Sequence, residues 1–183
     1  MNIKLRDAIP ADADALAHIL ITANDHAFRG LVPDQCLEFT EAESAVNWKR
    51  TLTEGLDDGE FLIVAQATTG EVVGYAMGGQ HDDLVYRGEL RVIGVKPDYQ
   101  GRGVGRRLVC EVARRLADKQ GIPSMRVSVL RINPNRVFYE RLGGSYLSEH
   151  PYDWESVTFS ECVYGWADTR TWLSSTCREG EAP

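Results

Sequence analysis

Three glycines and four cations, crowded where a strand ends and a helix begins, are the residues of this chain best suited to chemistry. They lie in Val95-Lys96-Pro97-Asp98-Tyr99-Gln100-Gly101-Arg102-Gly103-Val104-Gly105-Arg106-Arg107. Alternating glycines let the backbone approach a ligand closely and turn its N–H groups inward. The helix start adds unpaired N–H donors and the positive end of the dipole. Helix starts favour Asp or Glu, yet Arg102, Arg106 and Arg107 stand here, with no Ser, Thr, Asp or Asn at the cap. Each cation at that end costs about 0.3–1 kcal/mol. A bound anion turns the conflict into attraction; without one, the segment is a glycine turn with exposed arginines.

Two phosphate loops are excluded by spacing. GxxxxGK[ST] needs a Lys followed by Ser or Thr, and none follows these glycines. GxGxxG fails because Arg106 stands where the third glycine belongs, with Gly105 out of register. The charge distribution supports a small polyanion. Net charge is −7, but residues 91–143 hold 12 bases and 4 acids, while residues 1–60 hold 12 acids and 5 bases. Nucleic acid is not expected as a partner, because the acidic flanks would repel a long phosphate backbone.

Other reactive types carry less. Cys36, Cys110, Cys162 and Cys177 form no CxxC pair, so neither a zinc site nor a disulfide framework is expected, and reduced thiols in a cytoplasmic protein are the default. Cys110 falls within a helix with no His nearby in sequence, which argues against a nucleophile. His18, His26, His81 and His150 have no metal-like spacing, so no metal is expected. His81-Asp82-Asp83 reads as a solvated turn, or as a loop near a substrate. No run of about 18 apolar residues suggests a membrane span. Residues 1–10 lack a basic-then-apolar leader pattern.

The elements that must position the loop follow from periodicity. Ile3–Arg6 alternates as an edge strand, and Asp12–Ala27 and Glu41–Leu52 read as helices. Phe61–Ala65 and Glu71–Met77 read as a hairpin, Gly78–Tyr86 as a loop and Glu89–Val95 as a central strand. Val104–Gln120 is the strongest helix, with Val104, Leu108, Val112 and Leu116 every four residues and Gly121 and Pro123 ending it. Met125–Leu130 is a strand and Asn135–Leu142 a short helix, followed by strands Ser145–Tyr152 and Val157–Trp166. The order favours an α/β or α+β layer around one sheet. A single domain over 1–173 is expected, with a loose tail over 174–183.

Gln100, Gly103 and Gly105 meet Gln-x-x-Gly-x-Gly, and here the chain resembles the GNAT N-acetyltransferase superfamily. Gly88-Glu89-Leu90-Arg91-Val92-Ile93-Gly94-Val95 is similar to the family's fourth strand, and Asn133-Pro134-Asn135-Arg136-Val137-Phe138-Tyr139-Glu140-Arg141-Leu142-Gly143 to its later motif. Ala27–Pro33 and Tyr164-Gly165-Trp166 are weaker matches. The resemblance implies a mixed, mostly antiparallel sheet with splayed parallel strands 4 and 5, flanked by about four helices. It implies acetyl-CoA as co-substrate, its diphosphate on Gln100, Gly101, Arg102, Gly103, Val104, Gly105 and Arg106, and its arm along Ile93, Val95 and Asn133. Asn133 precedes Tyr139 by six residues, where seven is commoner in the family. By resemblance Tyr139 protonates the leaving thiol and Glu89 serves as base; Glu89 could instead merely pair with Arg87 or Arg91. Acetyl transfer to a small-molecule or peptide amine is the reading, with a non-catalytic acyl-CoA sensor on the same fold as the alternative. A homodimer is suggested by family analogy.

Overall fold

The computed structural model describes residues 2–177. A seven-stranded sheet in the order β1-β2-β3-β4-β5-β7-β6 runs through the chain. Its strands are β1 (Ile3–Asp7), β2 (Phe61–Ala67), β3 (Val72–Gln80), β4 (Gly88–Val95), β5 (Met125–Leu130), β6 (Ser145–Trp154) and β7 (Val157–Trp166). The α-helices are α1 (Ala13–Phe28), α2 (Glu41–Glu54), α3 (Val104–Lys119), α4 (Val137–Arg141) and α5 (Thr169–Thr176). By contacts the described residues form two compact units. One runs to Met77 and includes Val92–Leu108; the other comprises Gly78–Arg91 and the residues from Val109 on.

In the first unit, β1 and β2 pair antiparallel from Ile3↔Ala67 to Asp7↔Ile63. Thr40 starts α2 with a reciprocal cap: its hydroxyl accepts from the Glu43 N–H, and the Glu43 carboxylate accepts from the Thr40 N–H. Leu16 and Ile19 of α1 pack with Leu62, Val64, Val72 and Tyr75, and Trp48 of α2 meets the Tyr75 ring edge-on at 5.6 Å. The α1 start is tied to β1 by two bonds from Arg6 to Asp12, at 2.7 and 2.8 Å.

In the second unit, β4 and β5 run parallel, paired at Glu89↔Arg126 and Leu90↔Val127. Strands β5 and β7 are antiparallel, as are β7 and β6. Glu155 and Ser156, both with positive φ (46° and 62°), close the β6–β7 hairpin as a two-residue turn whose twist suits the strands.

Three expectations need correcting. Gly78 and Gly79, read as loop, continue β3 and are buried there. A fifth helix, α5, crosses the boundary placed at residue 173; its signal is short, and its start depends on the Asp168 side chain accepting from the Arg170 and Thr171 N–H groups. The rest of the expected tail, 178–183, lies outside the described residues. Cys110 and Cys177 are joined in a disulfide with Cα atoms 6.0 Å apart, where four reduced thiols were expected. Folding brings together positions 67 apart, which no sequence spacing announces. Cys36 and Cys162 are buried and lie outside the disulfide.

Candidate functional site

The glycine loop belongs to the first unit. Strand β4 ends at Val95, and a single 3-10 turn, Pro97–Tyr99, follows. The Gln100 N–H is used on Pro97 O at 3.1 Å, and its side-chain amide donates to Val95 O at 3.1 Å. Gln100 thus braces the loop, and the open amides begin one residue later than the motif suggests. The first backbone bond of α3 runs from Arg107 N to Gly103 O at 3.1 Å. The amides of Gly101 to Gly105 have no backbone acceptor among the described residues. Gly101 and Gly103 have φ of 68° and 80°, and a Cβ built on either meets nothing within 4 Å. Left-handed backbone, open space and unpaired donors at a helix start suit a diphosphate.

The arginines divide in use. Arg107 donates to Ile3 O at 2.6 Å, so it ties α3 to β1. Arg102 lies over the Tyr99 ring at 5.8 Å, and the first turn of α3 contains no acid. Gly94, in β4, has a packing role: a Cβ there would lie 2.8 Å from the Tyr75 ring and 3.0 Å from Ile19.

Within the second unit a set of charges shares one face of the sheet. Glu89 and Arg126 are register partners; counting by two along β5 reaches Leu130, which faces Glu161 of β7, itself opposite His150 of β6. The Glu89 carboxylate has His81 Nε2 at 3.9 Å, Arg91 Nε at 3.9 Å and Arg126 Nε at 4.0 Å. These lie beyond hydrogen-bond reach, so the carboxylate is only 18 % exposed yet accepts no hydrogen bond among the described residues. Arg126 Nε is buried without a partner there too. His81 Nδ1 accepts from the Asp83 N–H at 2.9 Å, which puts a neutral ring's proton on Nε2, facing Glu89. Burial raises the Glu161 carboxyl above its usual range, against the opposing pull of His150 and Arg126 and with a smaller push from Glu89.

Sequence reasoning singled out Glu89 from this set and passed over Arg126 and Glu161. Their one available signal was alternation, since charges at inward positions of central strands are unusual. His81-Asp82-Asp83 is an ordered turn, with Asp83 Oδ1 accepting from the Val85 and Tyr86 N–H groups.

Tyr139, in the same unit, is 7 % exposed and stacks on Tyr164 with ring centres 6.2 Å apart. Burial pushes its hydroxyl up to about 12, so it keeps its proton at neutral pH. No hydrogen bond holds that hydroxyl among the described residues. Asn133 follows β5, and its Oδ1 caps the next turn by accepting from the Asn135 N–H at 2.8 Å. Cys110 is spent in its disulfide. Among the described residues no three His, Cys, Asp or Glu gather as a metal site, and no helix is long and apolar enough to cross a membrane.

Residues 57–143 match the acetyltransferase (GNAT) domain family. The chain is similar to N-acetyltransferase YuaI of Bacillus subtilis, 27% identical over 91% of this chain and 94% of that one. Among solved structures it is similar to the PaiA N-acetyltransferase of Thermoplasma acidophilum in complex with coenzyme A, with TM-score 0.66, 17% identity, and 91% and 99% of the two chains covered. An acetyltransferase from Salmonella typhimurium with its cofactor acetyl-CoA gives TM-score 0.63 and 20% identity over 100% and 98% of the chains.

Proposed function

We propose that the chain is a GNAT acetyltransferase that moves an acetyl group from acetyl-CoA to a primary amine by direct attack on the thioester, a reading supported by its likeness to that family over residues 57–143. The observation that carries this reading is the run of open amides from Gly101 to Gly105 at the start of α3. Acetyl-CoA supplies the activated acyl group and a thiol leaving group. The chain's own residues do the rest. Gly101, Arg102, Gly103, Val104, Gly105 and Arg106 hold the diphosphate, and Gln100 orders their loop. Ile93 and Val95 offer backbone groups to the pantetheine arm. An N–H near Val95 donates to the thioester oxygen as negative charge develops, a contribution of about 3 kcal/mol in comparable sites.

An alkylammonium must lose a proton before it can attack, and Glu89 takes that proton through water. The distances of 3.9 to 4.0 Å around its carboxylate support this, because they leave its acceptor capacity unused. Tyr139, protonated and without a partner, donates to the departing sulfur. The acidic stretches at 1–60 and 144–183 suit a cationic acceptor such as a polyamine, an aminoglycoside-like amine or a lysine side chain.

A thiol-release screen of acetyl-CoA against such amines tests the reading, together with calorimetry of coenzyme A. Tyr139→Phe is expected to lower turnover about 100-fold while leaving coenzyme A affinity within about twofold. Coenzyme A binding with no turnover on any amine would favour a sensing module. No heat with coenzyme A or its thioesters would remove the diphosphate loop, and the whole assignment with it.

A further inference from the structure

Lys96, in the first unit, is a cation at the mouth of a loop suited to an anion, yet its charge is already matched. Its Nζ lies 2.6 Å from Glu71 Oε1. The other oxygen of the same carboxylate, Oε2, accepts from the Tyr99 hydroxyl at 3.0 Å. Glu71 closes the β2–β3 turn, where Ala67 N donates to Glu71 O at 2.8 Å and Gly70 N to Ala67 O at 2.9 Å. One carboxylate, 25 residues upstream of Lys96, therefore grips both ends of the Lys96–Tyr99 turn that leads from β4 into the glycines.

The inside of that turn is fixed as well. Lys96 N donates to Val73 O at 3.0 Å, Tyr99 N to Lys96 O at 2.9 Å and Gln100 N to Pro97 O at 3.1 Å. Tyr99 in turn carries Arg102 over its ring at 5.8 Å. A continuous path runs from Glu71 through the Tyr99 hydroxyl to the guanidinium of Arg102, and through Gln100 to the open amides of Gly101 onward. On charge alone Glu71 is misplaced, since a carboxylate beside a diphosphate site opposes binding. We infer that Glu71 is a positioning residue for the diphosphate loop, a negative charge that strengthens anion binding by holding the loop in its binding shape. The inference rests on the proposed function, in which this loop takes the coenzyme A diphosphate.

The two effects of Glu71 have opposite signs, so one measurement separates them. Coenzyme A binding is read by calorimetry for the wild type, Glu71→Ala, Tyr99→Phe and the double variant. Glu71→Ala should weaken binding about tenfold and Tyr99→Phe about threefold, as lost pre-organisation does. The double variant should bind like Glu71→Ala alone, because the hydroxyl acts only through the carboxylate. In steady state, KM for acetyl-CoA should rise while kcat and KM for the amine stay unchanged. Glu71→Gln, which keeps an acceptor for Tyr99, should recover part of the loss. Equal or tighter binding by Glu71→Ala overturns the inference, as do effects that simply multiply in the double variant. If Glu71→Ala does not fold, Tyr99→Phe alone decides, since unchanged affinity there breaks the path at its middle. A wild type that gives no heat sinks the diphosphate reading and this inference together, whereas a wild type that binds beside unaffected variants sinks this inference alone.

Discussion

At Gly94 the absent side chain is the point. Tyr75 and Ile19, both fully buried, occupy the space a Cβ would need. Gly94→Ala should therefore lose about 1–3 kcal/mol by overpacking, seen as a lower urea midpoint with unchanged slope. Gly101 differs, since its φ of 68° and open surroundings make it a backbone requirement. The sequence shows both glycines alike, and only the neighbours separate them. Tyr139 yields a prediction in pH. Its folded hydroxyl is raised from 10 to about 12 by burial. A raised group contributes stability that is whole below its unfolded value and is lost as pH climbs toward the folded one. The wild type should thus lose about 2 kcal/mol more than Tyr139→Phe between pH 10 and 12, measured by denaturant melts at each pH.

Among elements, the join of α1 to β1 is the clearest single dependence. Burial alone would raise the Asp12 carboxyl, but two bonds from Arg6 and one from the Ile9 N–H outweigh it and hold it below its usual range. Asp12→Asn removes the charge opposite Arg6, which keeps only the neutral acceptors Gln66 Oε1 and Asp7 O, and should cost about 3 kcal/mol at pH 7. A depressed carboxyl stabilises above its unfolded value, so the gap between wild type and variant should narrow as pH falls below about 4. That pair was illegible beforehand, because Asp12 reads as an ordinary helix-start acid. Helix α3 was legible, since its stripe repeats over four turns, and Leu108, Val112 and Leu116 are all fully buried. The glycine loop could also be read, because its donors are consecutive in the chain. Glu71, Arg126 and Glu161 were not, since each joins its group through sheet register or a turn 25 or more residues away. Helix α5 offers only Trp172 and Leu173 as an apolar signal, and its existence rests on packing, with Trp172 against Trp166 at 5.5 Å.

At the scale of the whole chain, the disulfide is a covalent constraint within the second unit, linking α3 to the residue after α5. Cross-linking residues 67 apart removes loop-closure freedom from the unfolded chain, worth about 4 kcal/mol on the entropic account. Cys177→Ser should lower stability by that order, and a dithiol reductant should lower the wild type to the same level while leaving the variant unmoved. Thiol titration of the unfolded, unreduced protein should find two thiols, those of Cys36 and Cys162, and four after reduction. Four thiols at the outset would mean that Cys110 and Cys177 lie close without bonding. Calorimetry of coenzyme A under the same reductant then separates fold from site. The bond joins Cys110 and Cys177, neither of which lies in the diphosphate loop, so affinity should survive reduction wherever the protein remains folded.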